Sequence, residues 1–166
     1  MEKDFSISEY TSKSAIQKVK DPLPEPELCN CCGSREVTVD DHYRLYGKAF
    51  SDWPYVWFCQ DCKAYVGMHP FTAIPLGTLA DKKTREARKL CKPYFEELHQ
   101  SGLMCRSEAY ERLAEKLNIS KKDCHFGMFD IHMCEKAKEA SIELAKPKKR
   151  WDTSLLNKLQ LTKREK

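Results

Sequence analysis

Glycine is scarce in this chain, six in 166 residues, and no cluster of them has the spacing that cradles a phosphate. No stretch approaches the roughly 18 uncharged apolar residues that a membrane span requires. The opening MEKDFSISEY lacks the basic, apolar and small-residue order of an export signal. No membrane role is therefore expected, and a reducing, cytoplasmic setting is. Charge imbalance is also missing from most of the chain: residues 146–166 hold eight basic and two acidic side chains, which by themselves account for the net +4. Spacing assembles no nucleophile with its base, no carboxylate pair and no open three-ligand metal site, so no catalytic residue is named and a non-enzymatic protein is expected.

Cysteine is plentiful, at nine. An odd count without an export signal favours metal thiolates over disulfides. Cys29-x-x-Cys32-Gly33 and Cys59-x-x-Cys62 form two knuckles separated by β-branched and aromatic residues, the pattern of a zinc ribbon. Two knuckles joined by a hairpin bring four sulfurs together from only two points of the chain. One structural Zn²⁺ on Cys29, Cys32, Cys59 and Cys62 is expected, with Cys31 free because it lies inside the knuckle turn. Four thiolates and one zinc leave that module acidic, so attraction for phosphates must come from elsewhere.

The expected fold is α+β: a four-cysteine ribbon with a three-stranded antiparallel sheet, packed against a small helical domain. Three prolines between Asp21 and Pro26 mark a linker, which divides the chain into a flexible segment 1–27, the ribbon 28–77, a helical domain 78–145 and a basic tail 146–166. Strands are read at 36–39, 43–46, 53–58 and 64–67, with Gly47 as a turn. Trp53, Tyr55 and Trp57 share one strand face and serve either as a base-stacking surface or as core. Thr78-Leu79-Ala80-Asp81 has the form of a helix cap. The helix from about Leu79 carries Leu79, Ala87, Leu90, Cys91, Tyr94 and Leu98 on one side and Lys82, Arg85, Arg88, Lys89 and Lys92 on the other. Pro93 is expected to kink or restart it. Further helices are read at 108–117 and from Asp130 to about Leu144, with a capping box at Ser120 to Asp123. The stretch 113–120 has the form of the start of a helix-turn-helix, although Gly127 interrupts where a recognition helix would run.

The basic stripe, together with Lys148, Lys149 and Arg150, forms the candidate nucleic-acid surface. Its alternative is a solvated outer face. Cys91, Cys105, Cys124, His125, His132 and Cys134 are either a second metal site or buried core. His69 follows the strand after the second knuckle, which places it, with Asp81 and His125, as a candidate for a cleft between ribbon and helices.

Cys29-x-x-Cys32-Gly33, Trp57-Phe58-Cys59-x-x-Cys62-x-Ala64-Tyr65-Val66-Gly67-x-His69, Pro75-Leu76-Gly77-Thr78-Leu79-Ala80, Arg106-x-Glu108-Ala109-Tyr110-x-x-Leu113-Ala114 and Cys124-His125-x-Gly127-Met128-Phe129-Asp130-x-x-x-Cys134 together resemble a family of small phage and bacterial proteins described only as zinc-finger-containing. The resemblance runs from Cys29 to Cys134. It implies zinc at the four knuckle cysteines, a helical second half and a phage or bacterial setting, hence the cytoplasm of a bacterial cell. It implies no reaction. Lys92 and Arg112 depart from the pattern, standing where histidine and tryptophan are expected.

Two functions follow as expectations. The first is a binding module acting on DNA, RNA or a nucleic-acid machine, with the basic helix and tail supplying attraction. The second is a protein-interaction factor that modulates a host enzyme, docking through the aromatic strand or the stretch around Trp151 and Leu155. An enzyme with a cleft around His69 is a third.

Overall fold

The computed structural model describes residues 6–146. Lys148, Lys149, Arg150, Trp151 and Leu155 lie outside the described residues. A 3₁₀ turn at Ile7–Tyr10 and helix α1, Lys13–Lys18, precede the ribbon. Strand β1, Val37–Asp41, runs into the short helix α2, His42–Tyr46. Strands β2, Tyr55–Cys59, and β3, Tyr65–Gly67, complete an antiparallel sheet in the order β1-β2-β3. Three helices follow: α3, Lys82–Gln100, α4, Arg106–Leu117, and α5, Ile131–Ala145, with a 3₁₀ turn at Phe126–Met128 before the last. The α+β architecture expected from the sequence is the one observed.

Several local expectations are corrected. Tyr43 to Tyr46 is helix rather than strand, because the Asp41 carboxylate caps it by accepting the Arg44 N–H at 2.9 Å and Gly47 closes it at φ +72°. The cap of α3 is Asp81, three residues later than Thr78; it accepts the Thr84 N–H at 2.8 Å. Ahead of it, Tyr65 and Ala80 exchange backbone bonds of 3.1 and 3.0 Å, so Leu79 and Ala80 extend the sheet edge instead of starting the helix. Helix α3 passes through Pro93 without interruption. Its inner face is Cys91, Phe95 and Leu98, while Leu90 is 72% exposed. Arg88 takes an inward place that the projection gave to apolar residues, since three oxygen acceptors await its guanidinium there. No recognition helix follows α4: Asn118, at φ +54°, ends it, and the Ser120 to Asp123 turn leads into the 3₁₀ turn.

Two cores hold the molecule. Cys91, Phe95, Leu98, Leu113, Phe126 and Ala137 centre the helical one. The ribbon core gathers Trp53, Trp57, Val66, Met68 and Leu79 around the knuckle cysteines. Both tryptophans are core rather than a stacking surface, and their indole N–H groups donate to Thr72 O at 3.0 Å and Ala73 O at 2.8 Å, in the loop that follows β3. Ile7 is buried in the same core, and Ser12 N donates to Phe71 O at 2.8 Å. Part of the 1–27 segment expected to be flexible thus packs on the ribbon, because Ile7 completes an apolar cluster that a three-stranded sheet cannot close by itself.

The halves join through backbone. Thr78 N donates to Gly127 O at 2.9 Å, and a Cβ placed on Gly77 would lie 2.0 Å from that oxygen. Gly127 is therefore a close-approach residue rather than a helix interruption.

Candidate metal centre and the adjoining cleft

The two knuckles are copies of one turn. Cys29 N donates to Ser34 O and Cys59 N to Ala64 O, each at 2.8 Å; Gly33 N donates to Cys29 O at 2.7 Å and Lys63 N to Cys59 O at 3.0 Å. Both turns close on a left-handed residue, Gly33 at φ +76° and Lys63 at φ +64°. The strand register then sets the knuckles side by side, with Val37 opposite Cys59. The sulfurs of Cys29, Cys32, Cys59 and Cys62 all lie within 4.8 Å of one another. Cys29 Sγ is 3.5 Å from Cys62 Sγ, and Cys32 Sγ is 3.6 Å from Cys59 Sγ.

This donor set fits zinc. Four thiolates at the usual zinc–sulfur distance of about 2.3 Å place sulfurs about 3.8 Å apart in a tetrahedron, close to the separations found here. Burial works against ionising Cys59, yet the N–H groups of Cys62 and Asp61 and the neighbouring thiols outweigh it and hold its pKa at about 7. Burial pushes Cys62 up to about 12, with the Cys29, Cys32 and Cys59 sulfurs adding to the effect. The Cys59 thiolate is thus favoured, while Cys62 needs a cation to offset its burial. A zinc held by Cys29, Cys32, Cys59 and Cys62 has all four positions taken by sulfur, the composition of a structural site.

Cys31 stands outside the tetrad, its Sγ 3.5 Å from Leu79 O, and Asn30 Nδ2 donates to the same carbonyl at 2.9 Å. The first knuckle is fastened in this way to the strand extension that leads to α3. No second metal cluster forms among the described residues. Cys91, Cys124 and Cys134 are buried in the helical core, burial raising each thiol pKa, and Cys124 and Cys134 reach about 11 and about 12. Cys105 caps α4 and His132 is exposed.

The basic stripe divides by role. Arg88 donates through Nε to Phe129 O at 2.8 Å and through its two terminal nitrogens to Thr78 O at 3.1 Å and Thr78 Oγ1 at 2.8 Å, clamping the two halves. Arg85 donates to Ala80 O and lies over the Tyr65 ring, 3.8 Å from its centroid. Lys82 and Lys89 stand exposed, and Lys92 is exposed beside Glu96 at 3.4 Å. Arg112 pairs with Glu108 at 2.6 Å.

Beyond Tyr65 lies an aromatic surface that the sequence reading missed. The Tyr46 and Tyr65 hydroxyls bond each other, and burial raises the Tyr46 pKa, helped by that bond. Phe50 packs edge-on against Tyr46 with ring centroids 5.0 Å apart, His42 completes the group, and Lys48 lies over Phe50 at 5.0 Å. Phe50 is 62% exposed. The available signal is Asp41, a residue type that caps helices, with Gly47 six residues on to close the short helix that carries His42 and Tyr46.

His69 and His125 line one cleft of about 860 Å³ between the halves, as the sequence order suggested, whereas Asp81 is spent as the cap of α3. The Thr84 hydroxyl and N–H hold the Asp81 carboxyl below its ordinary range. Burial lowers both histidines; for His125 the charges of His69, Lys92, Arg106 and Arg88 add to it. Leu76 lines this cleft and also a smaller hollow of about 210 Å³ beside Tyr65 and Arg85.

A family model described as a zinc-finger-containing domain matches residues 25–144. No curated protein and no solved structure matches the chain. Among the described residues, no helix is long and apolar enough to cross a membrane.

Proposed function

The chain belongs to the zinc-finger-containing domain family, which has no assigned activity, and we propose that it is a zinc-stabilised module that binds single-stranded nucleic acid. The supporting observation is one surface on which stacking and charge are joined: Phe50 and Tyr46 lead to Tyr65, Arg85 covers Tyr65, and Lys82, Lys89 and Lys92 continue along the same helix. Aromatic rings accept any base face, and Lys82, Arg85, Lys89 and Lys92, each about one turn from the next, can follow a backbone of phosphates. The role of the zinc is to fix the ribbon that carries these rings; it contacts no ligand. The working compartment is a reducing one, in keeping with nine free cysteines.

Fluorescence anisotropy with the zinc-loaded full chain and a labelled single strand of about 12 nucleotides tests this. Affinity is expected to fall steeply with salt. Phe50→Ala is expected to weaken binding by roughly fivefold to a hundredfold, the worth of one stacked base. A chain ending at Ala145 is expected to retain binding. No binding at low salt, or the same affinity after Phe50→Ala, refutes the proposal.

A second reading, a protein-interaction factor, has one observation in its favour: Leu90 is 72% exposed and Tyr94, one turn on, is 38% exposed. The version that docks through the Trp53 to Trp57 strand loses its support, since both tryptophans are buried.

A further inference from the structure

The cleft that holds His69 and His125 has no part in the strand surface just described, yet its lining is selective. Pro75, Leu76, Met128 and Tyr110 give it an apolar lining. Tyr110 is held in place against Phe95, ring centroids 4.5 Å apart. The rim is cationic, with Lys20, Arg106, Lys121 and Lys122, against two carboxylates, Asp21 and Asp123.

The partners of these charges decide what the cleft accepts. Lys121 is engaged by Glu111 and donates to Ser107 Oγ at 3.1 Å, and the Asp123 carboxylate receives the Ser120 hydroxyl at 2.7 Å. Lys20, Arg106 and Lys122 pair with no carboxylate among the described residues, and the Arg106 guanidinium lies beside the Tyr110 ring, 5.8 Å from its centroid, which brings charge and ring to one place. The Nδ1 of His125 accepts the Gly127 N–H at 3.3 Å, which leaves the ring proton on Nε2 as a donor. Three cations free of carboxylates and an imidazole donor beside an apolar lining suit an anion that also carries a flat apolar body. Lys20, Arg106 and Lys122 are exposed, so a neutral metabolite would draw nothing from them, and an aliphatic acid would leave the Tyr110 side uncovered. The volume lies within the usual range for small-molecule sites.

We infer that this cleft, built jointly by the ribbon, the helical half and the segment after α1, is a nucleotide site that takes a phosphate ester bearing an aromatic base. In it Arg106 and Lys122 hold the phosphate, His125 donates to it, and the base lies against Tyr110, Leu76 and Met128. The same chemistry comes from a free mononucleotide or from the 5′-terminal nucleotide of a strand. Only the second source rests on the strand-binding proposal.

Calorimetry with the zinc-loaded full chain separates these. Adenosine 5′-monophosphate and adenosine are titrated in turn, and a 5′-phosphorylated oligonucleotide is compared with its 5′-hydroxyl twin. The expected result is binding that depends on the phosphate: the monophosphate at least about tenfold tighter than adenosine, or the phosphorylated strand at least about tenfold tighter than its twin. The first outcome assigns a free nucleotide and the second a strand end. Arg106→Ala, an exposed position, is expected to remove that preference while zinc content and melting temperature stay unchanged. Absence of any phosphate preference in both pairs, or a preference that survives Arg106→Ala together with Lys122→Ala, overturns the inference. Tight binding of the hydroxyl strand without phosphate preference would sink this site while leaving the stacking surface standing.

Discussion

Gly77→Ala is the sharpest perturbation that the structure offers. A Cβ there would sit 2.0 Å from Gly127 O, 2.4 Å from its carbonyl carbon and 2.8 Å from its Cα. All three are backbone atoms, so no rotamer change relieves the overlap. Ordinary contact, at 3.4 Å or more, requires the ribbon and the turn before α5 to part by about 1.4 Å, which stretches the Thr78 N to Gly127 O bond and loads the Arg88 clamp. Overpacking costs about 1–3 kcal/mol and a weakened backbone bond about 1 more, so a loss of about 2–4 kcal/mol is expected. For a chain of this length that lowers Tm by roughly 5–15 °C. Gly67→Ala is the internal control, because its Cβ would meet only Leu76 Cδ1, at 3.3 Å, the end of a side chain that can move. Thermal and urea unfolding of the two zinc-loaded variants, side by side, decide the matter. Equal stabilities, or a loss below about 1 kcal/mol for Gly77→Ala, would refute the account of the seam.

Replacing Cys59 with Ser removes one of four thiolates and is expected to cost about 3 kcal/mol of metal binding, or more than a hundredfold in zinc affinity, read by competition with a chromophoric chelator; stoichiometric zinc retained at unchanged affinity would contradict the ligand assignment. Arg88→Ala strips three hydrogen bonds from Thr78 and Phe129 and is expected to destabilise by about 3 kcal/mol in urea, with Arg88→Lys recovering only part of it because an ammonium lacks the planar fork; full recovery by lysine would show that charge alone mattered. His69 and His125 are expected to titrate below 6.5 when followed by NMR of the imidazole protons. Since each folded-state pKa lies beneath its unfolded value, the unfolded chain binds more protons in that window, and both residues subtract stability as pH falls through it. Midpoints at or above 6.5 would remove the desolvated cleft from the argument.

Spacing along the chain was enough for the metal centre. Each knuckle is a local turn closed by its own backbone bonds, so Cys29-x-x-Cys32 and Cys59-x-x-Cys62 declare themselves wherever the rest of the chain goes. Helix limits near Asp130 and Leu117 were legible for the same reason, since caps and periodicity are short-range. The pairing of His69 with one cleft was also foreshadowed, by its place between the second knuckle and the first long helix. What escaped the sequence depended on contacts between distant segments. Arg85 and Arg88 look like any other members of a basic stripe until the Tyr65 ring and the Thr78 and Phe129 carbonyls arrive from elsewhere to claim them. Gly127 looks like a helix breaker until Gly77 is laid across it. Trp53 and Trp57 become core because Ile7 and the loop after β3 close over them, and exposed rings stand instead at Tyr46 and Phe50, on and just after a five-residue helix that a strand-like composition concealed. Local chemistry fixed the zinc site; which cations remain free to meet a ligand was decided only when the two halves packed.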